Sequence, residues 1–151
     1  MAAACAEADR ADRSHTFDTA FLDRTFTRID QSIAMAALFA AHHMRASAIV
    51  SLTQSGSTAL WVTRIDSGIP VYALTPEESS RRRMTLFREC HPVAMQYRSY
   101  DMPAVLADVE RLMLENGLVK NGDLVVITVG EPVGKSGGTN NLKIVRIGSH
   151  S

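Results

Sequence analysis

Two short segments of this chain combine glycine with hydroxyl side chains in a pattern suited to binding an anion. The first segment lies between a predicted strand and a predicted helix and consists of Thr53, Gln54, Ser55, Gly56, Ser57 and Thr58. Backbone N–H groups and the positive dipole end at the start of a helix favour phosphate. The second segment adds a cation ahead of the last predicted strand and consists of Gly134, Lys135, Ser136, Gly137, Gly138 and Thr139. Together they predict a pocket for a phosphorylated small molecule.

Neither segment carries a motif for catalysis. Ser55 and Ser57 flank a glycine without the Gly-x-Ser-x-Gly pattern of a hydrolase, and no acid and histidine follow at positions that complete a triad. Residues 130–136 resemble a nucleotide-binding P-loop, but three residues separate Gly130 from Gly134 where that motif needs four. A strand also follows where the P-loop has a helix. We therefore predict no catalytic residue in this chain.

Other reactive side chains have structural interpretations. Adjacent residues on a helix point in different directions, so His42 and His43 are not placed to share a metal ion. Cys90 precedes His91, but adjacency in sequence does not make a nucleophile and base pair, and we interpret Cys90 as a packing residue. Residues 81–83 are three successive arginines that wrap most of a helical turn, which predicts a solvated face. We expect Trp61 to pack in the core and no metal to bind.

Composition limits the classes of function. A chain of 151 residues with 46% hydrophobic content can form one domain with a sizeable core. Sixteen basic and sixteen acidic residues give a net charge of +0, so the charge pattern of a nucleic-acid binder is missing. The apolar stretch 33–41 is too short to span a membrane. Cys5 and Cys90 form neither a cluster nor a disulfide scaffold, which indicates a reducing compartment and predicts a cytoplasmic protein.

Helical and strand patterns alternate along the chain. Helices are predicted at 28–44, 57–67, 76–87 and 103–116, and strands at 48–53, 71–74, 93–97 and 124–129. The alternation predicts an α/β fold: a three-layer sandwich with a mostly parallel five-stranded sheet and helices on both faces. The segment between Val129 and Leu142 has no helical pattern and little length for a parallel crossover, so residues 142–147 are predicted to form an antiparallel edge strand at the C-terminal end.

The predicted sheet determines where the two glycine segments lie. Ligands of α/β sheets bind at the carboxyl ends of the parallel strands, and both segments leave such ends. If the first and fourth parallel strands are neighbours, the two segments converge on one site. If they are not, the glycines simply make two unrelated turns. The first helix is apolar on more than one face, through Met35, Leu38 and Phe39, and another subunit is one way to cover the second face.

Beyond these patterns, the chain contains five linked motifs: DQSIAM at 30–35, TQSGSTAL at 53–60, SGIPVYALTP at 67–76, KNGDLVV at 120–126 and GGTNN at 137–141. Through these motifs it resembles the C-terminal domain of bacterial pyruvate kinases over about residues 28–147. Residues 1–9 are similar to the end of the last helix of that family's catalytic barrel. The resemblance implies that residues 1–15 are a remnant of the barrel and linker, and that residues 16–151 are the C-terminal domain.

The resemblance also implies a role without catalysis. In the family this domain binds an allosteric effector and contributes a subunit interface, while phosphoenolpyruvate, ADP, magnesium and potassium bind to the barrel. Residues 53–58 match the loop that holds the effector phosphate, and residues 134–139 match the loop that closes over the effector. Ser57 stands where several relatives carry arginine, and no basic residue lies near Val105, where relatives that use a sugar bisphosphate place one. These departures favour a monophosphate such as AMP or a hexose monophosphate over fructose bisphosphate.

The expectation is therefore a regulatory, homo-oligomeric domain of pyruvate kinase with no cofactor of its own and no nucleic-acid or membrane partner. Three alternatives stay open. A free-standing sensor of phosphorylated metabolites has the same pocket without a barrel. An enzyme in its own right requires turnover of a phosphorylated compound. A purely structural role applies if the two segments bind nothing.

Overall fold

The computed structural model describes residues 25–65, 67–87, 89–133 and 138–148. The helices are α1 (Ile29–Met44), α2 (Ser57–Thr63), α3 (Glu78–Met84) and α4 (Met102–Glu115). The strands are β1 (Ala48–Leu52), β2 (Val71–Thr75), β3 (Cys90–Ala94), β4 (Leu124–Gly130) and β5 (Thr139–Arg146). The predicted barrel remnant and linker, residues 1–15, lie outside the described residues.

The five strands form a single sheet in the order β3-β2-β1-β4-β5. The first four strands are parallel, and Val50 at the centre of β1 pairs with Tyr72 of β2 and Ile127 of β4. β5 runs antiparallel to β4 at one edge. Only residues 131–138 connect these two strands, which is shorter than the dozen or so residues that a parallel crossover needs. The predicted fold class is confirmed.

The two faces of the sheet are covered by different helices. Alternate residues of a strand point to opposite faces, so Val50 and Ile127 pack with Val109 of α4 in one apolar cluster. Ile49 and Val126 belong to a second cluster, with α1 and α2, on the other face. α3 lies on this second face as well, through contacts with β2 and β3. The helices therefore cover both faces of the sheet, as predicted.

The third strand begins earlier than the sequence pattern predicts. It covers Cys90–Ala94, not 93–97, and includes Pro92 paired with Ala73. β3 is an edge strand, where the missing N–H of a proline can face away from the ladder. Cys90 is buried, in agreement with a packing role, and burial raises the pKa of its thiol to about 11.

Two helices are shorter than predicted because their last turns tighten. α2 ends at Thr63, where the Arg64 N–H bonds to the carbonyl oxygen of Trp61, three residues back. α3 ends at Met84, and Phe87 N–H likewise bonds to the Met84 carbonyl. Such bonds close a 3₁₀-type turn and do not extend an α-helix.

The start of α3 is also later than predicted. A capping box would use the side chain of Thr75 at the helix start, with Pro76 in the first turn. Instead the Thr75 hydroxyl accepts a hydrogen bond of 3.1 Å from the N–H of Glu77, which forms a turn ahead of the helix. Glu77 then serves as the N-cap without a side-chain cap hydrogen bond.

Candidate functional site

The loops that leave β1 and β4 meet at the carboxyl end of the sheet. β1 and β4 are parallel neighbours, with Ser51 paired to Thr128. Beyond these strands, the hydroxyl oxygens of Thr58 and Thr139 lie 2.7 Å apart in a buried hydrogen bond. β1 and β4 are therefore neighbours, as convergence of the two glycine segments requires. The described parts of the two segments meet at one site.

A cavity opens between the two loops. The space between them, counted together with the solvent at its open mouth, is about 340 Å³. Its polar lining residues are Thr53, Gln54, Ser55, Ser57, Thr58 and Thr139. The rest of the lining is Leu52, Tyr97, Val129, Gly130 and Val133. We refer to this space as the β1–β4 cavity.

Residues 53–58 form a turn, which we call the hydroxyl turn, and hydrogen bonds within it hold its shape. The Thr53 hydroxyl oxygen accepts a 2.9 Å bond from the N–H of Gly56, and the Ser55 hydroxyl oxygen accepts a 3.3 Å bond from the N–H of Ser57. These two N–H groups are therefore not free for an anion, in contrast to the expectation from the helix start. A hydroxyl that accepts a bond can still donate its own hydrogen. The hydroxyls of Thr53 and Ser55, which both line the cavity, can therefore still act as donors.

Ser57 has a different role from its neighbours. Its hydroxyl donates a 2.9 Å hydrogen bond to Oδ2 of Asp30, although the residue also lines the cavity. Asp30 is 3% exposed and accepts a second bond to Oδ2, 2.8 Å long, from the Arg28 guanidinium. The N–H of Gln31 donates to the other carboxylate oxygen at 2.9 Å. Ser57 therefore ties the turn to the start of α1.

α3 supports the turn from behind. The Ser80 hydroxyl donates a 2.6 Å hydrogen bond to the carbonyl oxygen of Gln54, and the Arg83 guanidinium donates to the carbonyl oxygen of Ser55. The predicted solvated face holds for Arg82, which is 79% exposed and pairs with Glu78. Arg83 is exposed as well, although its contact with the turn was not predicted, whereas Arg81 is half-buried.

The second glycine segment is described only in part. Gly134, Lys135, Ser136 and Gly137 lie outside the described residues, whereas Gly138 and Thr139 are described. A Cβ atom at Gly130 would lie 2.5 Å from the carbonyl oxygen of Gly138, so the backbone next to β5 leaves room only for glycine at residue 130. The Asn140 side chain further joins β5 to the residue after β4 through two hydrogen bonds, of 2.9 and 3.0 Å, to the backbone of Glu131.

Residues 31–145 match the family described as pyruvate kinase, alpha/beta domain. The chain belongs to this family. The matched range contains every strand of the sheet except the last residue of β5, together with both walls of the β1–β4 cavity.

Full-length relatives agree with this assignment of a pyruvate kinase α/β domain. The chain is 33% identical over 127 residues to pyruvate kinase II of Salmonella typhimurium, and the aligned region covers 83% of this chain and 26% of that protein. It is 36% identical over 129 residues to a pyruvate kinase of Buchnera aphidicola, where the aligned region again covers 83% of this chain and 26% of the relative. With a pyruvate kinase of Haemophilus influenzae the identity is 36% over 110 residues, which are 72% of this chain and 23% of the relative. The chain thus spans about a quarter of the length of these curated relatives.

Sequence reasoning missed Tyr97 as part of the site of this pyruvate kinase α/β domain. Predicted as the end of a strand, it instead follows β3 and lines the cavity. Burial, and to a smaller extent the charge of nearby Tyr100, raises the pKa of the Tyr97 phenol, so this phenol is neutral at pH 7. The signal in the sequence was an aromatic residue just beyond the carboxyl end of a parallel strand.

The described lining of the β1–β4 cavity has a limited set of chemical groups. Hydroxyl, amide and apolar groups line the described part of the cavity, without a carboxylate, histidine or cysteine to serve as a base or nucleophile. Within the described ranges, no group of three or more His, Cys, Asp and Glu residues is arranged to hold a metal ion. Among the helices of the described part of the chain, none combines the length and apolar character needed to cross a membrane.

Proposed function

We propose that this pyruvate kinase α/β domain is a non-catalytic regulatory and oligomerisation domain that binds a phosphorylated effector in the β1–β4 cavity. The observation that carries the proposal is the hydrogen bond of 2.7 Å between Thr58 and Thr139, which joins the first turn of α2 to the start of β5. Hydroxyl donors from two loops that meet at the carboxyl ends of parallel strands suit a small anionic ligand.

The phosphate is held by neutral donors and one cation. Thr53 and Ser55 supply hydroxyl hydrogens, since each already uses its oxygen to accept a bond within the turn. Lys135, outside the described residues, supplies the positive charge. α2 has seven residues, so its dipole contributes less than a long helix would. A site with one cation and a compact cavity suits a monophosphate, either AMP or a hexose monophosphate.

The oligomer forms through the outer face of α1 and a second copy of the chain. Ile29, Phe39 and Met44 are 69%, 43% and 49% exposed on this helix, and Ile144 of the neighbouring edge strand is 44% exposed. Because an α-helix turns by about 100° per residue, the three residues on α1 lie within an arc of about 140° around the helix axis. Exposed apolar residues grouped in this way are typical of protein–protein contacts.

In the full-length protein, the domain regulates a catalytic barrel of the same chain that converts phosphoenolpyruvate and ADP to pyruvate and ATP in glycolysis. Magnesium and potassium act at that barrel, and the cytoplasm is the proposed location. Effector binding closes the Lys135 loop and biases the packing of the domains. Sequencing the gene upstream distinguishes this role from a free-standing sensor, which requires a reading frame without a barrel.

A thermal-shift screen of phosphorylated metabolites tests effector binding. A ligand at 100 times its Kd stabilises a protein by about 2.7 kcal/mol, or about 5–10 °C in Tm for a domain of this size. The double variant Thr53→Ala with Lys135→Ala should lose the shift. Thr27→Ala, an exposed threonine away from the cavity, is the matched control and should keep it. A shift that survives the double variant would place the site elsewhere.

A further inference from the structure

The arginine run of α3 leads directly to a threonine at the end of that helix. Arg82 and Arg83 stand three and two residues before Thr85, and Leu86 follows it. Among the serines and threonines of the whole sequence, Thr85 alone has arginine at both of these positions. Thr85 and Leu86 do not line the β1–β4 cavity, so the proposed effector site leaves this segment without a role.

The structure presents the segment to solvent. Arg82, Arg83 and Thr85 are all exposed, Arg82 to 79%. Leu86 is 85% exposed, which is more than any other large apolar residue in the described ranges. A second protein can therefore contact the side chains on both sides of the Thr85 hydroxyl without first opening the core.

The Thr85 hydroxyl can leave its present contact at low cost. It donates a hydrogen bond of 2.6 Å to the carbonyl oxygen of Arg82 at an exposed position, where water can replace it as the donor. Thr85 is also the C-cap of α3, a helix of seven residues whose N-cap makes no side-chain hydrogen bond. The end of so short a helix opens locally with little loss of free energy, which lets the segment extend into the groove of an enzyme.

The charges around Thr85 match an enzyme that recognises arginine. Protein kinases select substrates by charge pattern, and guanidinium groups form strong hydrogen bonds with carboxylates. Arg82 pairs with Glu78 at 2.8 Å, but both side chains are exposed, so this pair is weak and Arg82 can exchange it for another partner. Residues three apart on a helix lie on the same side, so Arg82 also stands next to a phosphate placed on Thr85.

We propose that Thr85 is a phosphorylation site for an arginine-directed serine/threonine kinase. In this reaction the bond between the γ-phosphorus of ATP and the oxygen that bridges to the β-phosphate breaks, and a bond from that phosphorus to Oγ1 of Thr85 forms. ADP leaves, and the hydroxyl proton passes to the catalytic base of the kinase. The product adds a charge of about −1.5 to −2 at pH 7 to a surface that Arg82 and Arg83 make basic.

Phosphorylation of the folded 151-residue chain in vitro tests the proposal. The probe is ATP with the catalytic subunit of cyclic-AMP-dependent protein kinase, an enzyme that recognises paired arginines. Peptide mass spectrometry should locate phosphate at Thr85, and Thr85→Val should lose it. Arg82→Gln should lower kcat/KM about 10- to 150-fold, because it removes one charged hydrogen-bonding partner of the kinase. Glu78→Gln is the matched control, since it breaks the same ion pair but keeps Arg82, and it should not lower the rate.

Ser67 provides an internal reference for the paired arginines. It has arginine three residues before it, at Arg64, but not two residues before it, and it should take up phosphate more slowly than Thr85. Uptake at Ser67 that equals or exceeds uptake at Thr85 would overturn the proposal, as would an unchanged rate for Arg82→Gln. Phosphorylation of a synthetic peptide of residues 79–89 but not of the folded chain would also overturn it, because the fold would then hide the site.

Discussion

The Ser57 hydroxyl donates a hydrogen bond of 2.9 Å to the buried carboxylate of Asp30, 27 residues earlier in the chain. The Arg28 guanidinium donates to the same carboxylate oxygen at 2.8 Å. These contacts link the hydroxyl turn, which lines the cavity, to the first turn of α1, whose outer face we propose as the oligomer contact. The cavity and the proposed interface are thus joined by one small polar network.

Removing the carboxylate of this network should destabilise the fold. Asp30→Ala leaves the part-buried Ser57 hydroxyl and the Arg28 guanidinium without their acceptor, and we expect a loss of about 2 kcal/mol in the free energy of unfolding. Urea denaturation measures this change. Glu115→Ala is the control, since Glu115 is 66% exposed and lies 3.9 Å from Arg111, and it should cost at most about 1 kcal/mol. Equal small losses in both variants would show that the network does not stabilise the fold.

The turn requires glycine at residue 56. Gly56 has φ of 86°, and a Cβ atom there would lie 3.1 Å from Cγ of Met84. Gly56→Ala should therefore lower the free energy of unfolding by about 2–4 kcal/mol, through backbone strain and crowding together.

Gly68→Ala is the matched control for this prediction. Gly68 has φ of 75°, and a Cβ atom added there would have no neighbour within 4 Å, so only the strain, about 1–2 kcal/mol, applies. Urea denaturation of both variants isolates the Met84 contact as the difference. A Gly68 variant that loses as much stability as the Gly56 variant would contradict the role of Met84.

Much of the fold follows from local sequence patterns, and much of the site does not. Short β-branched runs separated by glycine and proline predicted the parallel strands, because burial on both faces needs continuous apolar residues. The bond between Ser57 and Asp30, and the one between Arg83 and Ser55, join residues 27 and 28 positions apart. Hydrophobic periodicity describes local helices and strands and does not indicate which residues so far apart in the chain are in contact. Tyr97 was missed because its place depends on where an edge strand ends.

The hydroxyl pair between the two loops should be energetically coupled. Thr58→Val or Thr139→Val alone leaves a buried hydroxyl without its partner and should cost about 1–2 kcal/mol, whereas the double variant replaces both with apolar groups of the same shape and should cost less than the sum. A double-mutant cycle from urea denaturation gives the coupling energy. Simple additivity would mean that the two loops do not stabilise each other.

The outer face of α1 should control assembly. We expect the chain to sediment as a dimer and Phe39→Glu to convert it to a monomer, because a carboxylate at the interface loses its hydration. Leu86→Glu, at a residue 85% exposed outside α1, should leave the dimer intact. Analytical ultracentrifugation distinguishes the species. A wild-type monomer, or a Phe39→Glu dimer, would exclude this face as the contact.

A crystal structure of the chain with AMP bound tests the proposed effector site. The phosphate should lie within hydrogen-bonding distance of the Thr53 and Ser55 hydroxyls. A phosphate bound away from the loops after β1 and β4, with the hydroxyl turn unoccupied, would show that the effector site lies elsewhere.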